Sequence, residues 1–514
     1  MAIASRAGNS IRDSMTTSKE NLLNDVFAAT HVAAEASRSK IESFLGKASA
    51  WEALADWLGL DAHSRVPAKR EILDRICVAI ALLDAQIGDQ LDVILHAPAM
   101  QKLEASWRGL SYLVDCIEDD SNVIVRILPI SWRELVKDLE RAIDFDQSQT
   151  FKKIYNEEFG TPGGEPYGIL LADYELRHRP GPGHPTDDLG ALRSLQQVAA
   201  ASFAPLIAGL DPAFMGLDGF RDLERPVDLD RIFAGVEYTQ WNSVRKSEDG
   251  RFVGLTLPRV LARLPHRDDS LRADGFCYEE DVSDSDGSGY TWGTAVYAFG
   301  SVVMRAFTES GWLAGIRGVE RDVEGGGLVT GLPLDDFETD LKERVLKSST
   351  DVIITDTREK ELADLGFIPL SHCHGTGLAA FYSNQSIQKP RRYDDAGATV
   401  NAKLSAMLQY MLCVSRFAHY IKVIGRDKVG AFTTAEECEH YLNNWLIDYS
   451  TSSEDSSTEL QAKYPLREGR VKIKELPGQP GVFSSVIHLR PHFQLDEMSS
   501  SVKLVTELFE GVAN

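Results

Sequence analysis

The chain has 514 residues, of which 43% are hydrophobic and 25% are charged, as in a globular protein of about two to four domains. Its net charge of −23 and the absence of a basic cluster argue against binding to nucleic acid. The N-terminus lacks a signal-peptide core, and Ala199–Leu210 is too short to span a bilayer. Six scattered cysteines fit free thiols, so we expect a cytoplasmic protein without direct membrane insertion.

An amphipathic helix is predicted close behind a polar leader that spans residues 1–16. Thr17 and Glu20 fit a capping box at its start. Such a helix either packs on its own domain or docks into the groove of a partner protein, and its position behind the leader favours docking. The apolar stripe that would make the contact consists of Leu22, Leu23, Val26 and Phe27.

Two more helices are predicted before residue 100. A short one carries Trp51, Leu54 and Leu58 on one face. We assign the leader and these first helices to residues 1–60. A third helix follows Pro67, and its apolar stripe consists of Ile72, Ile76, Ala79, Ile80 and Leu83.

A mixed α/β body is predicted for residues 61–395. Strand-like and helical segments alternate from about residue 100 onward. The predicted strands are Val123–Pro129, Gly168–Ala172, Asp351–Thr355 and Gly366–Leu370. The predicted helices are Trp132–Ile143, a segment from near Thr186 to near Leu210, the largely buried Thr291–Gly311, and a short charged helix that ends at Glu361.

The C-terminal residues 396–514 combine two helices with terminal strands. The helices are predicted at Asn401–Ile424 and Ala435–Tyr449. A strand-rich chain end either completes its own sheet or adds to the sheet of a neighbour. The strand residues are Val471 and Ile473 before a turn at Pro477–Gly481, then Val482, Val486, Ile487 and Leu489, and finally Val502–Leu508.

The motifs that carry chemistry in other proteins are weak in this chain. His374–Ala380 matches GxGxxA, but no long helix follows it, and we interpret it as a turn. Neighbouring strand residues point to opposite faces, so His372, Cys373 and His374 do not converge on a metal. Two further acidic features fit solvated or ion-paired carboxylates, and we therefore expect no catalytic residue, metal or cofactor. These features are Asp173 with Glu175, which end a predicted strand, and the run Glu279–Asp281, which is predicted to be a solvated loop.

Seven segments distributed along residues 100 to 500 are distinctive in sequence and in order. They are Glu104–Leu113, Phe145–Tyr174, Val253–Pro265, Trp292–Glu320, Asp356–Asp395, Val414–Lys422 and Tyr464–Met498. Together they resemble the large sheath subunit of bacterial type VI secretion systems, the TssC/VipB family. Two features depart from that pattern. Arg321–Glu324 intervene before a glycine run, and Gln409 stands where the family has proline.

The resemblance implies a multidomain α/β (α+β) sheath protein without enzymatic activity. It implies pairing with a small sheath subunit (TssB/VipA type), polymerisation with further copies around an inner tube of Hcp, contact with baseplate components, and recycling by the AAA+ ATPase ClpV. The Leu22–Phe27 stripe is then the ATPase-recognition segment, and the strand residues between Val471 and Leu489 are intersubunit strands. We also predict an inner-tube contact at Lys422, Arg426 and Lys428, the cations at the end of a long helix in an acidic chain.

Two alternatives stay open from the sequence. The first is a sheath subunit of another phage-tail-like contractile particle. The second is an α/β enzyme that binds a nucleotide at the Gly375 and Gly377 loop. A small-subunit gene beside this one would favour type VI secretion, whereas a retained cofactor would favour the enzyme.

Overall fold

The fold is known from a computed structural model that describes residues 42–60, 68–118, 122–268, 275–283, 287–313, 315–319, 325–338, 344–373, 376–427, 435–451, 460, 463–475, 483–492 and 502–507. The chain separates into two compact units. The first comprises Met1–Glu104 with Arg263–Thr291, and the second comprises Ala105–Ala262 with Trp292–Asn514. The sequence-based division into residues 1–60, 61–395 and 396–514 stays a prediction.

Helices and strands alternate along the chain, as expected for a mixed α/β protein. The helices are Ala50–Trp57, Lys69–Leu95, Pro98–Asp115, Trp132–Arg141, Asp188–Ser202, Leu229–Phe233, Thr239–Val244, Val296–Ser310, Asp356–Asp364, Ala396–Ser405, Leu408–Asp427 and Ala435–Ile447, and a π-helix spans Lys152–Phe159. The strands are β1 Leu170–Leu176, β2 Leu206–Leu210, β3 Val253–Leu257, β4 Val260–Leu261, β5 Trp292–Gly293, β6 Leu328–Val329, β7 Asp336–Glu338, β8 Arg344–Leu346, β9 Ile368–His372, β10 Ala379–Phe381, β11 Leu466–Glu475, β12 Phe483–Pro491 and β13 Val502–Glu507.

A six-stranded sheet forms the centre of the second unit, in the order β1-β2-β3-β9-β10-β6. The first four strands are parallel, whereas β10 pairs antiparallel with β9 and β6. Side chains alternate between the two faces of a strand, so each face of β2 has its own core. Leu206 and Ala208 pack with the Asp188–Ser202 helix, while Ile207 packs with the Val296–Ser310 helix.

The C-terminal strands form a separate sheet in the same unit. Its order is β11-β12-β13, and both pairings are antiparallel. The Leu408–Asp427 and Ala435–Ile447 helices cover its buried face through residues such as Phe417 and Leu442.

The first unit contains the Lys69–Leu95 helix and a buried ion pair. The predicted apolar helix behind Pro67 is confirmed, but none of its residues is buried. The prediction of a solvated loop at Glu279–Asp281 is wrong for Glu280, which is only 3% exposed. Arg263 donates two hydrogen bonds to its carboxylate, at 2.6 and 2.8 Å, and the His266 amide donates a third at 2.9 Å. Burial is the largest single effect and raises the pKa of Glu280, but the hydrogen bonds from Arg263 and His266 together with the charge of Arg263 outweigh it, so the net pKa is lowered.

Four predicted elements differ from the structure. The predicted strand Asp351–Thr355 forms no strand, although Val352 and Ile354 are buried. The apolar run Ala199–Leu210 does not stay helical, because Phe203 adopts a left-handed conformation with φ 51° and the chain then enters β2. Val123–Pro129 forms no ladder among the described residues, and Ile124 and Ile127 are exposed. The predicted Asn401–Ile424 helix is interrupted at Ala406 and Met407, so Gln409 lies in the first turn of a new helix.

The two helices stay separate although Gln409 stands where proline was expected, because Gln409 lies in the first turn of the second helix. Proline is accepted in the first helical turn, where its missing N–H has no intrahelical partner. The interruption is held by other contacts, since Ser386 donates from its amide and its hydroxyl to the Ala406 carbonyl, at 3.1 and 2.6 Å. The segment Arg321–Glu324 lies outside the described residues.

Candidate functional site

The C-terminal sheet is the candidate assembly site because its strands carry the predicted intersubunit residues. Val471 pairs with Ile487 across β11 and β12, and Lys472 pairs with Val486. The buried face of the sheet therefore repeats every second residue, as expected for a sheet with one solvated face. Four of the six predicted residues lie on that buried face: Val471, Ile473, Ile487 and Leu489.

The other two predicted strand residues have different positions. Val486 is half-buried and lies on β12. Val482 and the turn Pro477–Gly481 lie outside the described residues. The intersubunit role of all six residues stays a prediction, because a single chain does not show which strands a neighbour supplies. β13 pairs with β12 over six residues, from Leu489 opposite Val502 to Ser484 opposite Glu507.

The outer edge of β11 is occupied by groups of the same chain. Asn443 accepts a hydrogen bond from the Val471 amide at 2.8 Å and donates one to the Val471 carbonyl at 3.0 Å. Glu439 accepts from the Ile473 amide at 3.0 Å. At the start of the strand, the Leu466 carbonyl accepts from Thr451, and its amide donates to Tyr449. The sequence analysis did not identify Asn443 or Glu439, and the only signal was an Asn pair inside a predicted helix, where asparagine is unfavourable.

The cations predicted to touch an inner tube contact their own chain. The Lys422 ammonium donates to the Tyr155 hydroxyl at 2.8 Å and lies 3.7 Å from the centre of the Phe159 ring. Arg426 donates to the Thr161 carbonyl at 2.8 Å. Lys428 lies outside the described residues. These contacts show what holds two of the three side chains, while the inner-tube contact stays a prediction.

The N-terminal docking stripe cannot be located in the structure. Leu22, Leu23, Val26 and Phe27 lie outside the described residues, and their role in ATPase recognition stays a prediction. A second apolar surface is visible on the Lys69–Leu95 helix. Its exposed large apolar side chains are Leu73, Val78, Ile80, Leu82, Leu83, Ile87 and Val93.

The residues considered as possible catalytic, nucleotide-binding or metal-binding groups make structural contacts. Gly377 lies in the connection between the antiparallel strands β9 and β10, so the described part of the GxGxxA segment leads into a hairpin strand and not the helix that a dinucleotide site requires. His374 and Gly375 lie outside the described residues. Glu175 accepts two hydrogen bonds from Arg259, and Asp173 accepts one from the Thr294 hydroxyl at 2.9 Å. Among the described residues, no three His, Cys, Asp or Glu side chains meet as metal ligands would. Nor does any described helix combine the length and apolar character needed to cross a membrane.

Two kinds of comparison relate the chain to known proteins. Residues 78–388 match the family model of the EvpB/VC_A0108 tail sheath N-terminal domain, and residues 397–508 match that of the EvpB/VC_A0108 tail sheath gpW/gp25-like domain. The chain is also 42% identical over 432 residues to the type VI secretion system sheath protein TssC1 of Pseudomonas aeruginosa, a match that covers 84% of this chain and 85% of that protein. The chain therefore belongs to the TssC/VipB family of type VI secretion sheath large subunits.

Proposed function

We propose that this chain polymerises with a small sheath subunit of the TssB/VipA type around an Hcp inner tube and contracts to propel that tube out of the cell. The observation that carries the proposal is the similarity to TssC1, which extends through both sheath domains. The work is mechanical, so the protein is not an enzyme, and it acts in the cytoplasm, where the sheath surrounds the tube. Baseplate components anchor the sheath at one end.

Contraction requires only two arrangements of one repeated interface. A small difference in free energy per subunit, multiplied over many copies, makes the transition cooperative. No nucleotide has to be bound by the sheath itself. Energy from nucleotide hydrolysis enters afterwards, when the ClpV ATPase engages the Leu22–Phe27 segment and disassembles the contracted sheath.

The Lys69–Leu95 helix supports pairing with a small subunit. Leu73, Ile80, Leu83 and Ile87 are all exposed and are spaced by seven, three and four residues, which places them in one stripe. Val78, Leu82 and Val93 expose a second stripe on the opposite side of the helix. A helix that is apolar on two sides is normally covered by neighbours, and the heptad-like spacing fits a partner helix. We assign this surface to helices of the small sheath subunit.

Co-expression with the small sheath subunit encoded beside it tests the proposed function. We expect helical tubes by electron microscopy, and both subunits in those tubes. Tubes formed by this chain alone would instead indicate a sheath built from one kind of subunit, as in other phage-tail-like particles. A stable mixture of unassociated subunits would contradict the proposal.

A further inference from the structure

The helix Ala435–Ile447 supplies the hydrogen bonds that a neighbouring strand would give to β11. Glu439 and Asn443 are four residues apart and so lie on one face of the helix. Four helical residues rise about 6 Å and two strand residues about 6.6 Å, so the two side chains match alternate residues of the strand. Asn443 meets Val471, and Glu439 meets Ile473.

The bonds of Asn443 are those of a β-bridge. Its oxygen accepts from the Val471 amide and its NH₂ group donates to the Val471 carbonyl, as a residue on a neighbouring strand would, while the NH₂ group also donates to the Glu439 carbonyl of its own helix. Gly469 allows this close approach, since a Cβ atom there would lie 3.2 Å from Leu446 on the same helix. The edge also carries the exposed side chains Lys472 and Lys474, and lysines on an edge strand oppose strand addition.

The other side of the sheet is different. β13 pairs with β12 along one edge, and no described strand pairs with its second edge. The sheet is therefore closed at β11 by side chains of its own chain and ends at β13 without a described backbone partner.

We propose that Asn443 and Glu439 determine the side of the sheet at which assembly occurs. By closing the β11 edge, they confine strand exchange with a neighbouring sheath subunit to the β12 and β13 side. This inference rests on the proposed function for the identity of the incoming strand, but the closure itself is a property of the isolated chain. An open β11 edge would accept a second strand and give pairings that do not propagate as a sheath.

The test compares the double variant Asn443→Ala/Glu439→Ala with the wild type and with Asn444→Ala. Asn444 is an exposed neighbour on the same helix, with its side chain near His440, and serves as the matched control. Hydrogen exchange measured by mass spectrometry reports on the amides of Val471 and Ile473. We expect about tenfold faster exchange in the double variant only, because the side-chain acceptors are gone.

Cross-linking then asks whether the opened edge pairs with another copy. Lys472→Cys is introduced with serine at the other exposed or half-buried cysteines, and a short bismaleimide joins copies whose β11 edges meet. We expect cross-linked dimers of the isolated double variant, at a level at least about ten times that of the wild type or Asn444→Ala. On co-expression with the small subunit, the double variant should give irregular aggregates in place of tubes. The replaced cysteines are Cys77, Cys116, Cys277 and Cys373.

Two results would overturn the proposal. Unchanged exchange at Val471 and Ile473 would show that the side chains do not protect the edge. Faster exchange without dimers, together with normal tubes, would show that an open edge attracts no strand. If the double variant does not fold, the single variant Glu439→Ala provides the comparison at one amide, since it removes the acceptor of the Ile473 amide and leaves the contacts of Asn443 with Val471 in place. Failure of the wild type to form tubes would contradict the proposed function alone, because the first two measurements use the isolated chain.

Discussion

His419 is a buried imidazole that makes the stability of the second unit depend on pH. It is 3% exposed, and its Nε2–H group donates to the Ser202 carbonyl at 2.9 Å. Burial lowers its pKa to about 4, and the nearby charges of Arg416 and Lys422 act in the same direction. The hydrogen bond to Ser202 opposes the shift but does not cancel it. The folded chain therefore holds this histidine neutral.

Acidification should destabilise the wild type through His419. His419 binds its proton near pH 6.5 in the unfolded chain and only near pH 4 in the folded chain. The free energy of unfolding therefore falls as the pH drops from 6.5 to about 4. We expect a loss of about 2 kcal/mol between pH 7.5 and pH 5. His419→Gln keeps a donor for Ser202 and should remove this part of the loss. Melting temperatures measured across the range check it, with the exposed His440→Gln as control, and an equal loss in His419→Gln would contradict the assignment.

Lys422 tests whether a predicted tube contact also stabilises the chain. Its ammonium lies against the aromatic rings of Phe159 and Tyr155, at 3.7 and 4.6 Å from their centres. Lys422→Met keeps the aliphatic stem and removes both the charge and the hydrogen bond. We expect the isolated chain to lose about 1 to 2 kcal/mol. The exposed Lys403→Met is the control. An unchanged melting temperature, with fewer sheaths assembled on Hcp, would instead assign Lys422 to the tube alone.

At the scale of elements, we predict that the exposed stripe of the Lys69–Leu95 helix binds the small sheath subunit. Ile80→Glu/Ile87→Glu places two charges in the stripe, and the cost of burying each without a partner exceeds about 2 kcal/mol. We expect the double variant to lose co-purification with a tagged small subunit while its own melting temperature is unchanged, since both side chains are exposed in the isolated chain. Ala81→Glu adds a charge at an exposed position between the two stripes and should bind normally. Retained binding by the double variant would exclude this face as the interface.

The sequence predicts an element well when both its apolar periodicity and the residue that ends it lie within the segment. The Val296–Ser310 helix and its end at Gly311, with φ 75°, follow the pattern of Thr291–Gly311. Ala199–Leu210 was misassigned because an uninterrupted apolar run fits a buried helix and a buried parallel strand equally well. The difference lies in the conformation of Phe203, a residue that rarely adopts a positive φ.

The candidate site was predictable only in part, for a related reason. Val471 and Ile473 alternate with lysines, and that local pattern was sufficient to predict β11. The closure of its edge depends on Asn443 and Glu439, which lie about thirty residues earlier in the chain, on a helix whose approach to β11 no local pattern specifies. Val123–Pro129 shows the converse, since a strand-like pattern without a neighbouring strand forms no ladder among the described residues.

At the scale of the whole molecule, the hairpin of β11 and β12 connects the core of the second unit to the proposed assembly. Its buried residues, among them Leu466, Val471 and Ile487, pack on the Leu408–Asp427 and Ala435–Ile447 helices. Force that passes through the sheet during contraction would therefore reach those helices directly. The hairpin would then stay attached to the core of its own subunit while the neighbouring subunits move.

Val486→Pro tests whether assembly depends on this sheet. Val486 pairs with Lys472 in an antiparallel ladder, where residues alternate in the strand to which their amides point. The Val471 amide points away from β12 to Asn443, so the amide of the next residue, Lys472, points toward β12. Lys472 and Val486 therefore form a hydrogen-bonded pair, and proline at Val486 removes the N–H group that donates to β11. We expect polymerisation with the small subunit to be abolished. Val486 is only half-buried, so the isolated chain should keep its core, with a loss of about 3 kcal/mol.

The control for that variant is Val486→Thr, which keeps the β-branched shape and the backbone donor. It should form tubes by electron microscopy, whereas Val486→Pro should give none, although circular dichroism shows that it is folded. Normal tubes from a folded Val486→Pro chain would mean that the β11–β12 ladder is dispensable for assembly. The interfaces that hold the sheath would then lie elsewhere, with the Lys69–Leu95 helix as the first surface to examine.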